Sequence, residues 1–133
     1  MIQVIVVDDD PQFRHDLCVV LEQSGECIVV GESTHPTEVI EMAQIHHPAI
    51  VLLNGDLTAC DACDACEIAW LLRSCVATVG IIILTQFPNE ERLFQFLKVG
   101  ANAYKTRTIS PEVLIETVRR VSYGEYLFSG CSS

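Results

Sequence analysis

Polar residues that could share one piece of chemistry stand where apolar runs stop. Asp8 and Asp9 follow Ile2–Val7, Asn54 and Asp56 follow Ile50–Leu53, Thr85 closes Val79–Thr85, and Lys105 and Arg107 close a shorter run. Two or three carboxyl oxygens plus water are what a hard divalent cation such as Mg²⁺ takes as ligands. A hydroxyl and a cation beside them would suit the equatorial oxygens of a phosphoryl group. Charged residues at a single strand end need no function, because loops in solvent are commonly charged. Strand end after strand end finishing in this way asks for a shared site.

The elements that would position them read off in order. Ile2–Val7 is an apolar strand, and Asp10 then caps a helix with Pro11 in its first turn and Phe13, Leu17, Val20 and Leu21 at helical spacing, up to Ser24-Gly25. Cys27–Val30 is a second strand. Pro36 opens a helix whose inward residues are Val39, Ile40 and Ala43, ending before His46-His47-Pro48. The stretch Pro48–Asp56 is the centre of the chain: continuous apolar residues suit a strand buried on both faces. A helix from about Asp61 to Ser74, the strand Val79–Thr85 and a helix over Glu90–Val99 with Leu93, Phe94, Phe96 and Leu97 follow. Ala103–Thr106 is a short strand, and Ser110-Pro111-Glu112 opens a last helix through about Tyr123.

Strands alternating with helices predict an α/β fold: a doubly wound five-stranded parallel sheet, order 2-1-3-4-5, of the flavodoxin-like kind. In such a sheet the functional loops lie beyond the carboxyl ends of the strands. The polar strand ends would then all lie on one edge.

With 133 residues, half of them hydrophobic, the chain suits one domain with a real core. We read residues 1–123 as that domain and 124–133 as a tail or the start of a linker. No apolar run is long enough to span a bilayer, and the N-terminus lacks a basic segment and a cleavage site, so a cytoplasmic protein without membrane contact is expected. The formal net charge of −10 offers no basic footprint for nucleic acid, so direct contact with DNA by these residues is not expected.

Seven cysteines are many. Cys60, Cys63 and Cys66, with Cys75 downstream, have a spacing that occurs in iron–sulfur ligation. On one helix, however, three positions three apart spread over roughly 120° and do not converge on one metal. Asp61 and Asp64 oppose thiolate formation, whereas a helix N-terminus favours it. Buried structural cysteines are the better reading, iron–sulfur or zinc is disfavoured, and a redox role for Cys60, Cys63 or Cys66 stays open. His46 and His47 suit a helix C-terminus, His15 reads as exposed, and Trp70 reads as packing.

Taken together, VIVVDDDPQFR, GES, HPAIVLLN, IIILTQF and GANAYKTRTISPE resemble a response-regulator receiver domain of the NarL/FixJ type over nearly the whole chain. The resemblance implies a module that binds Mg²⁺, takes phosphate from a histidine kinase onto an Asp, and rearranges the surface of its fourth and fifth helices. It makes Asp8 and Asp9 the acidic pair, Thr85 the phosphate-sensing hydroxyl, Tyr104 the aromatic switch residue, and Asp56 a metal ligand through its backbone carbonyl.

Two departures bear on function. The phosphate-accepting Asp falls on Asn54, and a carboxamide neither acts as that nucleophile nor carries its negative charge to the metal. The family's Lys falls on Arg107, a planar fork in place of a point charge, with Lys105 a poor substitute. The reading is an atypical receiver: a regulatory interaction module, not an enzyme, with a weak Mg²⁺ site and switch positions at Thr85, Tyr104 and Arg107. Its expected partner is a histidine kinase, another regulator or a second copy, and it could serve as the N-terminal part of a transcriptional regulator. Two alternatives stay open: a phosphorelay receiver using Asp56 or a deamidated Asn54 (Asn54-Gly55 being prone to succinimide formation), and a cysteine-based redox or metal sensor.

Overall fold

The computed structural model describes residues 1–57 and 64–128, Pro36 and Thr37 by their backbone alone. Strands β1 (Ile2–Val7), β2 (Cys27–Ser33), β3 (Ile50–Asn54), β4 (Gly80–Thr85) and β5 (Ala103–Thr106) form one sheet in the order β2-β1-β3-β4-β5. Every neighbouring pair is parallel. Between and after them run α1 (Pro11–Gln23), α2 (Pro36–His46), α3 (Ala65–Cys75), α4 (Glu90–Lys98) and α5 (Pro111–Ser122). The predicted fold class and strand order are those observed.

β3 and β4 are buried from end to end. A strand with both faces covered has no polar side to show, which is why these segments read as unbroken apolar runs. Successive side chains still alternate between two cores. Ile5, Val7, Val51, Leu53, Ile81 and Ile83 meet Val39 and Ala43 of α2, Ile68 and Leu72 of α3, and Leu93 and Phe96 of α4. Val4, Val6, Ile50, Leu52, Ile82 and Leu84 meet Leu17 and Leu21 of α1 and Leu114, Val118 and Val121 of α5. Each such burial stabilises by about 1.5–3 kcal/mol, so Ile83→Ala would cost about 2–5 kcal/mol once its cavity is counted.

Side-chain caps fix the helix starts. Asp10 accepts from the backbone N–H of Gln12 and Phe13, Asn89 from Arg92, and Ser110 from Val113. The described part of α3 begins at Ala65, where the sequence suggested a start near Asp61: Asp64 caps it by accepting from Glu67 N–H. Starting at Ala65 sets the inward face to Ala65, Ile68, Ala69 and Leu72. Trp70, about 200° round the helix from Ile68, is therefore 55% exposed and is not core. The same geometry divides α4, where Leu93 and Phe96 are buried while Phe94 and Leu97 face solvent.

β2 runs on to Ser33, which pairs with Val7 after a register shift between Val4 and Ile5. Past Tyr123 the chain stays on the fold: Leu127 N–H donates to Asn102 O at 2.6 Å, and Asn102 Nδ2 donates to Glu125 O at 3.3 Å. Leu127 and Phe128 each pack on one of the two cores. Among the described residues no helix is long and apolar enough to cross a membrane.

Candidate functional site

Parallel pairing carries the polar strand ends to one edge. Val7 pairs with Leu53, Asn54 with Leu84, and Thr85 with Thr106, so Asp8, Asn54, Thr85 and Arg107 end up side by side. Burial separates this cluster from ordinary loop residues: Asp8 is 1%, Asn54 5% and Thr85 0% exposed. Asp9 and Asp10 face solvent.

Asn54 is held by both ends of its amide. Its Nδ2 donates, through long hydrogen bonds, to Asp8 Oδ1 at 3.4 Å and Asp9 Oδ1 at 3.3 Å, while its Oδ1 accepts from Asp56 N–H at 2.9 Å. The opposite orientation would set an oxygen against two carboxylates and an NH₂ against an N–H. Asp8 Oδ1 also accepts from Asp10 N–H at 2.9 Å. Burial pushes the Asp8 carboxyl above the usual aspartate range; the Asp10 N–H and the Arg107 guanidinium offset part of that, and the charges of Asp9 and Asp10 add to it.

The group Asn54 turns toward the acids is thus a donor, and Mg²⁺ takes only oxygen acceptors. An ion held by Asp8 and Asp9 would meet the Asn54 NH₂, while Asn54 Oδ1 is turned away toward Asp56 N–H. This arrangement does not fit the ion.

Arg107 is positioned just beyond β5, where its N–H donates to Thr85 O at 2.9 Å. Its guanidinium lies 3.9 Å from the centre of the Phe13 ring, 3.3 Å from Asp10 Oδ2 and 4.0 Å from Asp8 Oδ2. A planar cation can stack and pair at once, which an ammonium cannot do as well. The Asp10 carboxyl is held below the usual range, by its capping bond from Phe13 N–H first and by Arg107 as well. Sequence reasoning made Asp10 a helix cap only, because Pro11 beside it explains it fully. Lys105 lies back in β5, partly buried, on a groove with Ile109 and Val113.

The Asp56 side chain takes a part the sequence did not give it. Oδ1 accepts the Thr85 hydroxyl at 2.7 Å, Oδ2 accepts Gln86 N–H at 2.8 Å, and Arg92 of α4 stands 3.0 Å from Oδ1. Arg92 also donates to the Gly55 carbonyl and lies 5.9 Å from the centre of the Phe96 ring. The Phe96 and Tyr104 rings are 5.8 Å apart, and the Tyr104 hydroxyl, on a side chain buried in the core, accepts Asn89 N–H at 3.3 Å. Nothing in the sequence singles out Arg92. Its place between Asn89 and Phe96 is an ordinary helical position, and only the fold shows that it reaches β3's loop. The chain passes β4 so closely at Gly55 that a Cβ there would lie 2.7 Å from Ile83 Cγ2.

Cys60 and Cys63 lie outside the described residues. Cys66 is half-buried against the core, and burial, then the Asp64 charge, raises its thiol. Cys75 is exposed and Cys27 buried; Cys18 is pushed up to about 11 by burial and Glu32. His15, His46 and His47 are exposed.

The profile of the response regulator receiver domain family matches residues 4–119. The transcriptional regulatory protein YxjL of Bacillus subtilis is 29% identical over 127 residues, which are 96% of this chain and 57% of that protein. The nitrate/nitrite response regulator NarP of Escherichia coli is 30% identical over 127 residues, 96% of this chain and 58% of NarP. The chain thus spans somewhat over half the length of these relatives. Among solved structures, a LuxR-family two-component response regulator from Aurantimonas sp. SI85-9A1 superposes with a TM-score of 0.86 at 21% identity, covering 96% of this chain and 89% of that one. The isolated REC domain of RcsB from Salmonella enterica serovar Typhimurium gives 0.83 at 20% identity, with 95% and 91% covered.

Proposed function

The chain belongs to the response regulator receiver domain family, of the NarL type, and on that premise we propose that it acts as a protein-interaction module independent of Asp phosphorylation. The observation that carries this reading is Asn54. At the end of β3, where the family resemblance calls for an acceptor carboxylate, stands a buried amide whose NH₂ is spent on Asp8 and Asp9. An amide nitrogen and oxygen so engaged offer no nucleophile to a phosphodonor. The Asn54 amide and the Arg107 guanidinium also supply the acids with donors that a divalent cation would otherwise replace, so Mg²⁺ binding is weak and unnecessary for the fold.

The partner in this reading is a protein: a histidine kinase, another regulator or a second copy. The exposed side chains of Phe87, Phe94 and Leu97 give the end of β4 and α4 an apolar surface that supports such contact. The acidic charge of the chain argues against nucleic acid as the direct partner. Because the matched relatives are named as transcriptional and nitrate/nitrite response regulators, we place transcription regulation, from the cytoplasm, as the output of a whole protein built on this module.

Asp56 does not make a convincing substitute acceptor, because Thr85, Gln86 and Arg92 engage its carboxylate. A cysteine sensor draws no support from Cys66, whose raised thiol is protonated at neutral pH. The test is intact mass after incubation with Mg²⁺ and acetyl phosphate. Unchanged mass is expected, and the gain of one phosphoryl group would overturn the proposal.

A further inference from the structure

The Thr85 hydroxyl has one hydrogen to give, and Asp56 Oδ1 takes it at 2.7 Å. The same oxygen atom of Thr85 accepts Phe87 N–H at 3.1 Å. With no exposed surface of its own, Thr85 has neither a free proton nor an open approach for another anion. Asp56 in turn holds Gln86 N–H and pairs with Arg92, so one carboxylate gathers the end of β4, the loop after it and the first turns of α4. From Arg92 the contacts run through the Phe96 ring to Tyr104, whose hydroxyl returns to Asn89 N–H at the start of α4. The circuit closes on itself.

We propose that Asp56 is a built-in anion that locks the β4–α4 connection, from Thr85 through Asn89, in one arrangement. The lock deepens the phosphorylation-independent reading and rests on it: an internal carboxylate occupies the hydroxyl that the family resemblance assigns to sensing a phosphoryl group. The surface around Phe87 and α4 is then held ready for a partner without covalent modification. A charge-assisted network of this kind is worth more than its separate bonds, and its members should respond together when one is removed.

The experiment is site-resolved amide hydrogen exchange on the unmodified protein, with no phosphodonor present, for wild type, Asp56→Ala, Thr85→Val and the double variant. In Asp56→Ala, exchange at Gln86, Phe87 and Asn89 should accelerate roughly tenfold or more, while amides of α1 and β1 keep their wild-type rates. Thr85→Val, which alters no charge, should release Phe87 and Asn89, and the double variant should add little to the larger single effect. Acceleration confined to Gln86, or effects at Asn89 that multiply in the double variant, would overturn the lock. Should Asp56→Ala fail to fold, Thr85→Val decides alone: an unmoved Asn89 amide overturns it. Acetyl phosphate labelling of the wild type bears on the parent reading separately, since a labelled protein can still show the coupled protection and an unlabelled one can lack it.

Discussion

The amide nitrogen of Asn54 stands 3.4 Å from Oδ1 of Asp8, on a side chain almost sealed from solvent. A donor meets a carboxylate at the point where a receiver's own chemistry would set two carboxylates around a cation. Two buried like charges would need that cation; a carboxamide beside Asp8 does not. The carboxylates of Asp8 and Asp9 are met by hydrogen-bond donors from Asn54 and Asp10 N–H.

Restoring the carboxylate should therefore create a metal requirement. Without Mg²⁺, Asn54→Asp should lose about 1–3 kcal/mol, since it removes donors from Asp8 and Asp9 and adds a buried negative charge. Adding Mg²⁺ should raise the Tm of the variant and leave that of the wild type nearly unchanged. A variant as stable as wild type in metal-free buffer, or a wild type equally stabilised by Mg²⁺, would contradict the account.

The Asp8 carboxyl, held above the ordinary aspartate value of 3.8, sets a pH dependence. Between 3.8 and its raised value the folded protein binds more protons than the unfolded chain, so this group makes stability fall as pH rises, and above that window its penalty is constant. Asp8→Asn removes the penalty. Urea midpoints from about pH 4 to about pH 7 should show the variant gaining on wild type through the lower part of the range and then running parallel. Glu26, held low by Arg119, slopes the opposite way but is common to the two proteins and cancels in the difference, whereas Asp10, whose charge repels that of Asp8, drops further in the variant and loses its own dependence below that window. A pH-independent difference would mean that Asp8 carries no such shift.

Arg107 should not tolerate Lys. Stacking on Phe13 at 3.9 Å together with pairing to Asp10 needs the planar guanidinium. Arg107→Lys should cost about 1–2 kcal/mol in denaturant titrations. Combined with Phe13→Ala, the two losses should fall short of additivity by about 1 kcal/mol or less, in the direction of shared interaction. Full additivity would show that the stack contributes nothing.

Native folding should protect Asn54-Gly55 from ageing. Succinimide closure needs the Gly55 nitrogen to attack the Asn54 side chain, and that N–H is donated to Leu84 O at 2.7 Å while the side chain is 5% exposed. Peptide mapping after prolonged neutral incubation should find Asn54 intact in the folded protein and converted to Asp and isoAsp in denaturant. Equal conversion in both would show that the strand end opens freely.

The sheet was legible because its signals recur: β1, β3 and β4 are apolar runs, Pro11, Pro36 and Pro111 open three of the helices, and polar residues end the strands at one edge. The first residue of α3 was not legible: Asp64 caps the helix, and the inward face carrying Ile68 and Leu72 then turns Trp70 outward. The candidate site was legible at Asp8, Asn54, Thr85 and Arg107, since strand order alone makes them neighbours. What the Asp56 carboxylate and Arg92 do was not. Their meeting depends on how a loop and a helix from different units approach, and no local spacing encodes that.

The most direct measurement compares wild type, Asn54→Asp and Asp56→Asn side by side with Mg²⁺ and acetyl phosphate, reading intact mass and mapping any modified peptide. Wild type and Asp56→Asn should keep their masses, while Asn54→Asp should gain one phosphoryl group at residue 54. A phosphoryl group on the wild type, lost in Asp56→Asn, would make Asp56 an acceptor and contradict the reading of this site as a receiver that works unmodified.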